Sequence, residues 1–318
     1  MVFHYTAGGI QSPLTGLLAI LAVNSILAVS ASTGRTANAA EGIDSEVVGT
    51  PPPEDTDRTA IRDTEVSVGK RSLSLAIGFI YLNNSRIENL RKVRTRALTI
   101  PIDVSLGLTD ELEFYFGTAL EAGERQTILP GDADTTTDST LADLSVGVSW
   151  QVAAETAAWP SITLNGSVSI PIGSDDQNEA LDGNLGDGSG TLGASFTRRI
   201  DPLVLSANIA YSDSYSSGTV GDVKVRDGAS VDYGFGTAFQ INSAISISGR
   251  FQASYQFETE VDDIVFQGSN SEPMSLSTSL AYSPGPRRVW QYLLRQGLND
   301  DGGGVRVGAT YIITFDGR

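Results

Sequence analysis

From Lys70 onward, apolar residues alternate one by one with small or polar ones, and this period of two restricts the chain to half-buried strands. Leu73, Leu75, Ile77, Phe79 and Tyr81 alternate with Ser72, Ser74, Ala76, Gly78 and Ile80. Leu98, Ile100, Ile102, Val104 and Leu106 do the same against Ala97, Thr99, Pro101, Asp103 and Ser105. Leu112, Phe114 and Phe116 face away from Glu113, Tyr115 and Gly117, and Leu144, Val146, Val148 and Trp150 from Asp143, Ser145, Gly147 and Ser149. The pattern predicts about twelve strands: 71–82, 94–108, 111–126, 140–154, 161–173, 190–200, 203–214, 225–240, 245–258, 273–284, 287–298 and 304–315. Tight links such as Thr109-Asp110, Asp201-Pro202 and Pro284-Gly285-Pro286 alternate with long polar ones at 127–139, 175–189, 215–224 and 259–272.

A soluble β-sandwich would also alternate, so the character of each face decides. The apolar phase ends repeatedly in aromatics, among them Tyr81, Trp150, Tyr211, Phe239, Tyr255, Tyr282, Tyr311 and Phe315, as interfacial girdles require. The opposite phase is too rich in Ser, Gly, Thr and Asn to fill a sandwich core. Hydrocarbon outside and water inside suit both faces. The expected fold is therefore an all-β, transmembrane, antiparallel up-and-down β-barrel at 71–315, with short periplasmic turns and long extracellular loops.

Upstream, Leu14 to Ser32 is largely apolar and Ala37-Asn38-Ala39 follows as a small-x-small site, which predicts a cleaved signal peptide at 1–39. Asn24 and Ser25 interrupt the run and no basic stop-transfer cluster follows, which argues against a membrane anchor. Residues 40–70 are polar, contain Pro51-Pro52-Pro53 and lack an apolar period, as expected of a flexible periplasmic extension or of a plug. Residues 316–318 form a short tail. The predicted location is the bacterial outer membrane, where lipid, lipopolysaccharide and the barrel assembly machinery are the expected partners.

Composition excludes several chemistries. The 318 residues include no Cys and one His, His4, which lies inside the predicted leader. A disulfide framework, a thiolate metal site and a His-activated serine are thereby excluded from the mature chain. With 38 acidic against 21 basic residues the net charge is −17, which argues against nucleic acid as a partner. The acidic stretches at Gly131–Asp134 and Asp182–Gly188 offer oxygen ligands but do not complete a calcium-loop pattern, so neither metal nor cofactor is expected. Asp103 and Glu113 lie on two arms of one hairpin and are the only acid–base pair singled out; the chain is not expected to be an enzyme.

Thr99 to Glu113, reading TIPIDVSLGLTDELE, resembles the second hairpin of outer-membrane proteins named after the meta-pathway of phenol degradation. Asp143-Leu144-Ser145-Val146-Gly147, Pro171-Ile172-Gly173 and Gly297-Leu298-Asn299-Asp300-Asp301 resemble further stretches of that family, so the likeness covers about 70–315. The last strand, Val305 to Phe315, is similar to the C-terminal assembly signal of bacterial barrels, except that three residues follow its aromatic. The resemblance implies a transporter of small aromatic or other hydrophobic solutes.

Twelve strands fall between a barrel filled by its own side chains and one with a wide channel, so the size of the inward residues matters. Ser145, Gly147, Ser149, Ser167, Ser169, Gly234, Gly236, Ala238, Ser275, Ser277 and Ser279 are small and leave an open or partly open lumen. Charges in the same phase are candidates for lumen selectivity: Asp103, Glu113, Glu121, Asp143, Arg199, Asp232, Arg250, Arg295 and Arg306. Arg250 and Asp232, on neighbouring strands, are the expected functional pair. Pro101 and Pro171 lack a ladder donor and mark either bulges or a lateral opening. The alternative to a channel is a closed barrel with a structural or surface-recognition role.

Overall fold

A computed structural model describes residues 70–88, 91–129, 132–142, 144–170, 172, 188–215, 218–220 and 223–316. The leader, residues 40–69, Asp143, Pro171, Gly173, the acidic stretch from Asp182 to Asp187 and tail residues 317–318 lie outside the described residues.

The chain forms a closed antiparallel barrel of twelve staves. They are β1 (Ser72–Glu88), β2 (Arg91–Gly107), β3 (Leu112–Leu129), β4 (Asp132–Leu141) continued by β5 (Leu144–Ala153), β6 (Ser161–Ile170), β7 (Ser189–Ile200) and β8 (Leu203–Ser214). Between them, β9 (Gly218–Val220) and β10 (Val223–Arg226) precede β11 (Ser230–Asn242) and β12 (Ile245–Gln256). β13 (Glu260–Val261) and β14 (Ile264–Val265) then lead to β15 (Met274–Gly285), β16 (Arg288–Gly297) and β17 (Val305–Asp316). Each stave pairs with its sequence neighbour, and β1 closes on β17 from Ser72 opposite Asp316 to Asn83 opposite Val305.

β3 is flanked on one side by two pieces, β5 along Leu112 to Gly117 and β4 along Leu120 to Leu129, so β4 and β5 form one stave broken near Ala142. Residues 127–139, read from sequence as a long loop, are therefore mostly strand. Likewise β1 and β2 run on to Glu88 and Arg91 instead of stopping at 82 and 94. Above the hydrocarbon a strand no longer needs to alternate, because water satisfies both of its faces. The backbone ladder continues while the sequence signal fades.

The register fixes the two faces. Ile77, Phe79, Leu192 and Phe235 point outward and are among the most exposed large apolar side chains, as lipid-facing residues must be in a chain considered without lipid. Trp150, Phe239, Tyr282, Trp290, Tyr311 and Phe315 ring the end with the short turns, where Trp290 and Tyr311 lie 4.7 Å apart between ring centroids. Tyr211, Tyr233 and Tyr255 lie toward the end with the long loops. The inner face carries Ser, Thr, Asn, Gly and the charged residues. The β1–β2 ladder keeps one register but skips Gly78 and Phe79 opposite Pro101 and Ile100, at the proline that has no N–H to give.

At the short-turn end, residues 154–160 are braced by Arg198. Its Nη1 donates to Thr156 O at 2.8 Å and its Nη2 to Ala157 O at 2.7 Å, while Glu155 lies 3.6 Å from its Nε. At the long-loop end β9, β10, β13 and β14 form a separate small sheet. Its β13–β14 hairpin turns through Asp262 and Asp263, both at positive φ (49° and 63°), the left-handed pair that a two-residue primed turn requires. Beyond that turn Ile264 is 72% exposed.

Candidate functional site: the barrel lumen

The lumen has two unlike walls. Along β5, β6, β7, β8, β11 and β12 the inward residues are almost all hydroxyls and amides, and they line a cavity of about 180 Å³ reaching from Tyr115 to Asp227. Side-chain hydrogen bonds tie this wall into a ladder. Ser149 Oγ donates to Asn165 Oδ1 at 2.7 Å, Asn165 Nδ2 donates to Ser195 Oγ at 3.2 Å, and the hydroxyls of Thr191 and Ser212 are 2.7 Å apart. Each strand contributes one side chain every second residue, so neighbouring strands in register bring hydroxyls within reach.

Tyr115 lies across this wall. Its hydroxyl is hydrogen-bonded to the Ser167 side chain, and its ring occupies the space where Gly147, its cross-strand partner, would carry a Cβ. Tyr115 belongs to the polar phase of the sequence, but only the register reveals that a glycine opposite makes room for its ring.

The other wall, along β1, β2, β16 and β17, is more apolar. Ile80 on β1 reaches over Gly308, where an added Cβ would come 3.1 Å from Ile80 Cγ1, and Leu293 lies opposite Gly308 on the other side. Val289 and Ile312, cross-strand partners, continue the stripe toward the short-turn end.

The predicted charged positions distribute as follows. Asp103 on β2 faces Gly117 and Ala76, whereas Glu113 on β3 faces Gly107 and is only 1% exposed. Four positions, roughly 13 Å along a strand, therefore separate these two carboxylates, more than the span of paired glycosidase carboxylates. Arg199 is at the short-turn end of β7, where its backbone N–H donates to Glu155 Oε1 at 2.9 Å. Asp232 takes its hydrogen bonds from Ser230, at 3.5 Å, and Ser254. Arg250 lies four positions further along, opposite Gly236 and Ser277, so the expected Arg250–Asp232 pair is split along the barrel wall. Asp143 lies outside the described residues.

Three candidates do converge. Arg306 on β17 is paired in register with Arg295 on β16, and Glu121 on β3 lies within electrostatic range of Arg306. Glu121 Oε1 accepts the Thr99 hydroxyl at 3.4 Å, and Arg295 Nε donates to Ser275 Oγ at 2.9 Å. Because β17 closes on β1, residues some 180 positions apart in sequence come together here. No local pattern could have signalled it.

At the long-loop mouth, Arg226 bridges Asp213 at 3.2 Å and Glu260 at 3.7 Å and so fastens the small sheet to the barrel rim. Asp227 follows it in the connection to β11, and burial pushes its carboxyl up to about 6. Neither residue is singled out in the sequence, where 225–240 reads as one strand; the structure interrupts it at residues 227–229, between β10 and β11.

Comparison with solved structures gives an outer membrane channel from Pseudomonas putida F1, 14% identical, with a TM-score of 0.64, covering 84% of this chain and 100% of that one. The transport unit of the autotransporter AIDA-I from Escherichia coli is 9% identical, with a TM-score of 0.49, over 78% of this chain and 91% of that one. The first likeness establishes the outer-membrane barrel fold. No curated protein matches the sequence. Residues 56–315 match the family described as "Putative MetA-pathway of phenol degradation", and with that match extending over most of the strands just described, the chain belongs to this family.

Proposed function

We propose that the protein is an outer-membrane channel through which small hydrophobic or aromatic solutes pass by passive diffusion. The observation that carries this reading is the two-walled lumen. A hydrogen-bonding wall lines a cavity, and on the β1, β16 and β17 side the half-buried Leu293 lies in one apolar stripe with the buried Ile80 and Val289, so the barrel interior offers both a polar and an apolar surface to a solute with a ring and a polar group. The family's description names phenol degradation, and an aromatic solute fits it. Passage through such a lumen makes and breaks no covalent bond, and no catalytic role is assigned to its carboxylates. In this reading the short turns face the periplasm, the small sheet faces outward, and a signal peptide cleaved after Ala39 delivers the chain to the assembly machinery. Lipid and lipopolysaccharide surround the apolar belt.

The test is solute entry into liposomes containing the mature protein, comparing neutral mandelamide with arabinose, a sugar of similar mass. Faster entry of mandelamide, measured above empty liposomes, is expected. Equal entry would reduce the protein to a general diffusion pore. No entry of either would favour a closed barrel whose working part is the loop sheet, where Ile264 and its neighbours Val265 and Phe266 are exposed.

A further inference from the structure

Arg295 and Arg306 face each other across the β16–β17 ladder and both point into the lumen. Like charges directly opposite each other destabilise a strand pair, so their retention inside a barrel calls for a compensating anion. Glu121 supplies one negative charge to this group, and its attraction acts on Arg306. Arg295 is less well served. Its Nε is bound by Ser275, but its Nη1 is buried without a hydrogen-bond partner, and among the described residues it forms no ion pair. A buried cationic N–H left unmade is costly, and such a group is explained when a ligand brings the acceptor.

The surroundings specify that ligand further. Two guanidiniums and one carboxylate leave a surplus of a single positive charge, which suits a monoanion better than a doubly charged phosphate. The planar guanidinium fork matches a carboxylate. Two positions toward the short-turn end from Arg295 lies the half-buried Leu293, with Ile80 buried beyond it over Gly308, so the surroundings turn apolar where the charge ends.

We propose that Arg295, with Ser275 and Arg306 beside it, forms a lumen subsite for the carboxylate of a small amphipathic acid whose apolar part rests on Leu293. This inference rests on the channel reading and narrows its solute class to aromatic or short aliphatic acids.

The experiment uses mature protein in liposomes with mandelate and mandelamide, which share a shape and differ in charge. Mandelate entry is expected to fall about tenfold in Arg295→Gln, the loss of one charge-assisted contact, while mandelamide entry stays constant. Arg295→Lys should recover part of the loss, and Ser275→Ala should show a smaller loss of the same kind. In planar bilayers under a KCl gradient, the reversal potential of Arg295→Gln should shift toward cation preference. Folding is checked by the heat-dependent electrophoretic mobility of the barrel, and Ser275→Ala decides the matter if Arg295→Gln does not fold. If mandelamide passes and mandelate is indifferent to both substitutions, the subsite is refuted and the channel stands. If neither solute passes the wild type, the channel reading fails.

Discussion

A single hydrogen atom governs the polar wall at Gly147. Its Cβ position is occupied by the Tyr115 ring on one side and lies close to the Gly166 carbonyl oxygen on the other. The ring could swing away at the loss of its bond to Ser167, but the carbonyl belongs to the β5–β6 ladder and cannot. Gly147→Ala is therefore expected to lower stability by about 1–3 kcal/mol, as overpacking does, and urea unfolding followed by tryptophan fluorescence would measure it. Tyr115→Ala should relieve only part of that penalty, because the carbonyl remains. At this scale the sequence was partly legible: alternation placed Tyr115, Gly147, Arg295 and Arg306 on the inner face. It could not order them along the barrel. Arg250 and Asp232 looked like a pair because they are inward on adjacent strands, yet the hairpin register sets them four positions apart.

Among the elements, the connection after β10 carries a titratable switch in its own packing. Burial raises the Asp227 carboxyl to about 6, above its usual value, so the folded loop favours the protonated form. The stability this group contributes is fully present below the ordinary carboxylate range and is lost as pH rises through about 6. Amide-exchange protection of residues 224–229, taken relative to the intrinsic exchange rate at each pH, is expected to be greater at pH 5 than at pH 7.5, and Asp227→Asn should abolish the difference. Equal protection at both pH values in the wild type would contradict the assigned burial. The same part of the chain shows why loops escaped the sequence reading. β9, β10, β13 and β14 are two to four residues long, too short for periodicity to register, and they exist because neighbouring loops pair at the rim. The opposite error occurred at 127–139, where a polar composition that suggested a loop belongs to strands extending above the apolar belt.

For the whole molecule, the outward face must meet hydrocarbon. Ile77 is at the middle of the outward run of β1, and Ile77→Arg is expected to cost about 2–4 kcal/mol in membrane stability. Refolding yield into lipid vesicles would report the loss, whereas Ala76→Ser, one residue away on the inner face, should leave it unchanged. The sequence by itself determined that the chain forms alternating strands, close to where the twelve staves lie, and which side chains face lipid and which face the lumen. These follow from a two-residue period that the backbone pleat imposes locally. Only the tertiary structure decided how the strands slide against one another. Closure of β17 on β1 brings Arg295 and Arg306 near Glu121, and the stagger between strands separates Asp103 from Glu113 and Arg250 from Asp232. Alternation fixes which face a residue is on but not its height in the barrel, because every even shift of register preserves the pattern. The height is set when the ring closes and all twelve seams must hold their hydrogen bonds at once.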